Sequence, residues 1–175
     1  MKRLFKYSMI IILAVIIGSN LPYRYNNNLV VNYITEHSNE RSRCMCAWYC
    51  MRAIHHGGCF QCPILPAYAY NKVLPQLGYQ EITVENYVPI KGDVVVLPQN
   101  NKSVFGHIAI WNGDQWISDF KQKNIFPNNC YRDKGEYQIF RNSDGWHWAH
   151  INISPKDYYN YINNLIQGKH KIKWL

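Results

Sequence analysis

Ser42-Arg43-Cys44-Met45-Cys46-Ala47-Trp48-Tyr49-Cys50-Met51-Arg52-Ala53-Ile54 is the stretch that decides how this chain reads. Met45, Tyr49 and the region of Ala53 recur at three- to four-residue spacing, the period of one helix face, and Ser42 has the side chain of an N-cap. Gly57 and Gly58 follow, residues that tolerate the left-handed backbone of a helix end, so a helix is expected over 43–56. Cys46 then sits near a helix N-terminus, where unpaired backbone N–H groups favour a thiolate. His107 and Asp119 come later in the chain. Thiol, imidazole and carboxylate in that order are the side chains of a nucleophilic triad, with Cys46 attacking, His107 moving the proton and Asp119 orienting the ring.

The second decisive region is a hairpin. Gly106-His107-Ile108-Ala109-Ile110-Trp111 and Gln115-Trp116-Ile117-Ser118-Asp119-Phe120 flank the turn signal Asn112-Gly113-Asp114. A two-residue loop would set His107 against Ser118 and turn Asp119 away. A three-residue loop sets His107 directly across from Asp119 and gathers Ile108, Ile110, Trp116 and Phe120 on the opposite face, so that register is expected.

Around these regions the chain alternates short elements. An apolar run, 29–34, precedes a polar stretch, and residues 67–77 form a helix limited by Pro75 and ended by Gly78. The β-branched run Val94-Val95-Val96-Leu97 predicts a strand covered on both faces, residues 137–141 a further strand, and Ser154-Pro155 opens a C-terminal helix. Lys2, Arg3 and Lys6 ahead of the apolar segment 9–17 and the small residues Gly18 and Ser19 have the form of a secretory signal peptide. That segment falls short of the ~20 residues of a membrane-spanning helix, so residues 1–19 are expected to be removed, leaving no membrane anchor.

Residues 20–175 are expected to form one domain. Loss of the three leading basic residues from a net charge of +8 leaves about +5, without a long basic run except residues 169–173. Such a charge suits an anionic envelope; no nucleic-acid partner is expected, and the protein is expected to be a secreted monomer. Six cysteines in a secreted chain imply disulfides. With Cys46 reserved, Cys44, Cys50, Cys59, Cys62 and Cys130 pair into two bridges and a spare thiol in fifteen ways that sequence does not separate. Cys59 and Cys62 have zinc-ligand spacing with His55 and His56 nearby, but no second pair closes a tetrahedral site, so they read as a stapled loop and no metal or cofactor is expected. Asn101 and Asn152 stand in glycosylation triplets.

The string from Cys46 to Gly58, the strand opener Gly92-Asp93-Val94-Val95, and the paired segments around His107 and Asp119 resemble the NlpC-type and CHAP peptidoglycan amidases. The resemblance is nearest to the type VI secretion amidase effectors and their secreted, domesticated relatives. It spans roughly residues 42–141. It implies an α+β, papain-like fold, with the catalytic helix packed on an antiparallel sheet, and an antibacterial hydrolase acting on peptidoglycan stem peptides, at cross-links between meso-diaminopimelate and D-alanine in the nearest branch. An inhibitor or immunity protein is then a conceivable partner. Family members have a small residue or glycine where Cys44 stands. The hydrophobic N-terminus points to general secretion and a host-defence or lysin-like role rather than injection. Two rival classes remain: a non-catalytic, disulfide-rich binding module, and a cysteine acyltransferase or transpeptidase using the same acyl-enzyme.

Overall fold

A computed structural model of the chain describes residues 22–101, 103–132 and 135–150. The expected signal segment 1–19, the Asn152 triplet, the basic run 169–173 and the C-terminal helix from Ser154 lie outside those residues. The described part is α+β. Strand β1 (Pro22–Tyr25) leads into helix α1 (Asn27–His37), then helix α2 (Cys46–His56), a short 3-10 turn (Ala67–Ala69) and helix α3 (Tyr70–Gln76). Strands β2 (Gln80–Ile82), β3 (Val94–Leu97), β4 (His107–Trp111) and β5 (Trp116–Ile117) follow, with a single-turn helix α4 (Asn129–Arg132) and strands β6 (Gln138–Arg141) and β7 (Gly145–Trp148).

Five strands form one antiparallel sheet in the order β2-β6-β3-β4-β5, and β1 pairs with β7 in a separate two-stranded ribbon. On one face of the larger sheet, Ile108, Ile110, Ile117 and Phe140 pack with Val30 and Ile34 of α1 and Cys50, Ala53 and Ile54 of α2. On the other, Val95, Leu97, Ala109, Trp116 and Ile139 close with Tyr131 of α4. All four residues of β3 are buried, as its unbroken β-branched run requires.

Asp93 anchors the start of β3. Its buried carboxylate takes Nε and an Nη of Arg141 at 2.7 and 2.8 Å, the Tyr87 hydroxyl at 2.6 Å and the Ile90 N–H at 2.9 Å. A two-pronged guanidinium contact with two further donors satisfies the buried charge in full.

The hairpin register differs from the expected one. Trp111 pairs with Trp116 and Ile110 with Ile117, so residues 112–115 connect the strands and the ladder is shifted by one residue. The Asn112 side chain decides this: its Oδ1 accepts the N–H groups of Asp114 and Gln115 at 3.0 and 2.8 Å, while its own N–H donates to the Gln115 carbonyl at 3.1 Å. The expected apolar face changes accordingly. Ile117, not Trp116, joins Ile108 and Ile110, and Trp116 packs edge-on to Trp111 at 5.4 Å in the opposite layer. Burial of both sheet faces removes the one-sided alternation on which the expected register rested.

Candidate active site

Helix α2 begins at Cys46, three residues later than its sequence suggests, and Met45 rather than Ser42 is the N-cap. The cause is a carboxylate from elsewhere in the chain. Asp119 Oδ2 accepts the backbone N–H groups of Arg43 at 2.5 Å and Met45 at 3.2 Å, and the Ser42 hydroxyl at 3.1 Å. The Ser42 oxygen accepts the N–H of Cys44 at 3.1 Å instead of capping the helix. Cys44 between them has φ +58°, a left-handed conformation, and so turns the N–H groups on either side toward one anion. Glycine, one of the residues that the resemblance implies at this position, takes up that conformation without strain.

Cys46 is half-buried, and α2 carries no side-chain hydrogen bond at its N-cap, so the first N–H groups of the helix are not taken up by a capping side chain. Burial pushes the Cys46 thiol up to about 12, opposed by the backbone N–H groups of Ile108 and Ala47. The helix start therefore does favour the anion, but desolvation outweighs it. Ile108 follows His107 directly, so the sulfur lies against the start of β4. Cys50, one turn on, is buried with its thiol directed to the Ile108 carbonyl at 3.6 Å, a core position.

His107 is the first residue of β4, paired with Leu97 of β3. Gly106 before it has φ +67°, and a Cβ there would meet the Leu97 carbonyl oxygen at 2.4 Å, so only glycine lets the chain turn into the strand so closely. The imidazole is buried, 6% exposed, which pushes its pKa down to about 4 against the pull of the Asp119 charge and the Gln122 side chain. At neutral pH the pair is thus a protonated thiol and an uncharged imidazole.

Asp119 is not the group hydrogen-bonded to the ring. The chain leaves β5 in a tight reversal, with Ser118 N–H on the Phe120 carbonyl at 3.0 Å and Gln122 N–H on the Trp116 carbonyl at 2.9 Å. Asp119 is therefore placed by that turn and not by strand register. His107 Nε2 lies 2.7 Å from the side-chain amide of Gln122, which also contacts the Ser118 hydroxyl at 3.0 Å, and that hydroxyl reaches Asp119 Oδ1 at 3.1 Å. Ser118, Asp119 and Gln122 are all buried. The structure brings Asp119 to Cys46 through the backbone and to His107 through two intermediaries. Gln122 and Ser118 carry no local sequence signal as site residues, because they enter the site only through that reversal.

All six cysteines lie among the described residues and all are free thiols in this structure, which forms none of the fifteen bridge patterns. The stapled loop at Cys59 and Cys62 is held instead by burial and by the Cys62 N–H on the Cys59 carbonyl at 3.3 Å. Among the described residues no group of three or more His, Cys, Asp or Glu side chains is placed to hold a metal ion.

No family model and no curated protein matches the chain. Two solved structures do: the native and the selenomethionine forms of the type VI effector–immunity complex Tae3-Tai3 from Ralstonia pickettii. The native form is 32% identical with a TM-score of 0.60, covering 68% of this chain and 100% of the solved one. The selenomethionine form is likewise 32% identical, with a TM-score of 0.57 over 64% and 98%.

Proposed function

From the footing that this chain belongs to the Tae3 family of type VI effectors, we propose that it is a peptidoglycan amidase whose reaction depends on Cys46. The observation that carries the reading is Cys46 as the first residue of a helix with no side-chain cap, set against the strand that begins with His107. The same placement supports a papain-like arrangement.

The chemistry derives from the protonation states. His107 takes the proton of Cys46 as the sulfur attacks an amide carbonyl of a stem peptide, and returns it to the departing amine. Water then repeats the path on the acyl-enzyme. The N–H groups at the start of α2, which no capping side chain takes up, receive the negative charge that develops on the carbonyl oxygen, where one such donor is typically worth ~3 kcal/mol. Asp119 supplies its charge to the imidazole from nearby and fixes the backbone ahead of Cys46.

The bond we assign is the peptide cross-link of the bacterial wall, and the role antibacterial. The basic and apolar character of residues 1–17 supports export by the general secretory route. The solved relatives are effector–immunity complexes, which supports an inhibitor protein as partner. Mass spectrometry of Gram-negative and Gram-positive sacculi digested with the native protein and with Cys46→Ala tests the reading. Cross-linked muropeptides are expected to disappear only with the native protein. Equal cleavage by the variant would remove Cys46 as nucleophile, and new cross-links without released peptides would identify an acyl transferase instead.

A further inference from the structure

The order of residue types that pointed to Asp119 as the orienting acid leaves Gln122 without a role, yet Gln122 is the side chain that holds the imidazole. We propose that Gln122 fixes which nitrogen of His107 bears the proton, and that Asp119 acts one step removed, on the segment before Cys46 through the N–H groups of Arg43 and Met45. The inference rests on His107 being the base.

The amide of Gln122 occupies His107 Nε2 at 2.7 Å, so Nδ1 is the ring nitrogen left to receive a proton from the thiol. Nδ1 accepts only when Nε2 carries the ring hydrogen, and that hydrogen then needs an acceptor at the position of the amide group it touches. With the amide nitrogen there, it donates to both His107 Nε2 and Ser118 Oγ, Ser118 donates to Asp119 Oδ1, and the amide oxygen is buried with no partner. A half-turn of the amide puts its oxygen in that place, where it accepts from His107 Nε2–H and from the Ser118 hydroxyl, whose hydrogen then leaves Asp119 Oδ1.

The chain Asp119–Ser118–Gln122–His107 therefore has two polarities, which differ in the orientation of one amide and one hydroxyl and in which ring nitrogen carries the hydrogen, the ring giving up one proton to water and taking another from it. The first leaves the proton on Nδ1 and the ring idle as a base toward the thiol; the second frees the Nδ1 lone pair. Asp119 keeps its Oδ2 contacts with Ser42, Arg43 and Met45 in both, so the backbone before Cys46 is held while the polarity changes. During attack the thiol proton moves to Nδ1, and Nε2–H stays on the Gln122 oxygen.

Nitrogen-15 NMR of the His107 ring, combined with muropeptide kinetics, tests this on the full protein. Gln122→Met keeps the bulk and removes both hydrogen-bonding functions. It is expected to lower kcat about 10–100-fold at unchanged KM and to convert a single Nε2–H tautomer into a mixture. Gln122→Glu, whose carboxylate accepts from the same ring hydrogen and the same hydroxyl, is expected to restore both the tautomer and most of kcat. Asp119→Asn is expected to keep the Nε2–H tautomer and to lose less activity than Gln122→Met, because its amide can accept from Arg43 and Met45 while donating to Ser118. An Asp119→Asn variant with the tautomer reversed and kcat lowered further than in Gln122→Met would overturn the proposal. So would a Gln122→Met variant unchanged in tautomer and rate. The ring signals are read without substrate, so a protein that cleaves no wall material at all would count against the amidase reading and not against this one.

Discussion

A buried, uncharged His107 makes the protein sensitive to acid in a defined window. The unfolded imidazole takes its proton near 6.5 and the folded one near about 4, because burial disfavours the cation. Above 6.5 neither state is protonated and the folded state keeps its full stability. Between 6.5 and 4 the unfolded chain binds the proton and the folded one does not, so stability falls as pH falls, and the loss is complete below about 4. At about 1.4 kcal/mol per pH unit the loss is on the order of 3 kcal/mol, a large share of the 5–15 kcal/mol typical of a domain. Urea denaturation of the native protein and of His107→Gln at a series of pH values isolates this contribution from the acidic residues, which titrate in both. The difference between the two curves is expected to slope by about 1.4 kcal/mol per pH unit across the window and to level off on either side. Cleavage should respond in the same sense, with the acid limb of kcat/KM displaced from 6.5 toward about 4. A difference curve that stays flat from 6.5 to 4, or an acid limb at 6.5, would refute the account of His107 as a desolvated neutral base.

Two further outcomes follow from the backbone. Cys44→Gly at φ +58° is expected to raise stability by about 0.5–1 kcal/mol over Cys44→Ala, since the left-handed strain of ~1–2 kcal/mol is only partly offset by the greater freedom of glycine in the unfolded chain; equal urea midpoints for the two variants would contradict it. Asp93→Ala leaves Tyr87, Ile90 and Arg141 without the anion that joins them and is expected to lower stability by about 3 kcal/mol, checked by thermal unfolding, with a fall under 1 kcal/mol contradicting the anchor role.

Local pattern was enough for several elements. The spacing within 43–56 foretold α2, the β-branched run foretold a strand buried on both faces, and Pro75 with Gly78 marked the short helix that ends in a left-handed glycine at φ +84°. These properties depend on neighbours within one or two turns, so the sequence contains them. The start of α2 does not: it is set by a carboxylate 74 residues away that takes the N–H of Met45 and turns an apparent cap, Ser42, to another use. The identity of the imidazole's partner is of the same kind. Asp119 and Gln122 are three positions apart, and their local sequence is equally consistent with either facing His107; the reversal after Ile117 and the shifted hairpin register choose between them. Residue types and their order along the chain singled out a thiol, an imidazole and a carboxylate. Which of them touch was decided by close packing on both faces of the sheet and by the need to satisfy every buried polar group, conditions that exist only once distant segments meet.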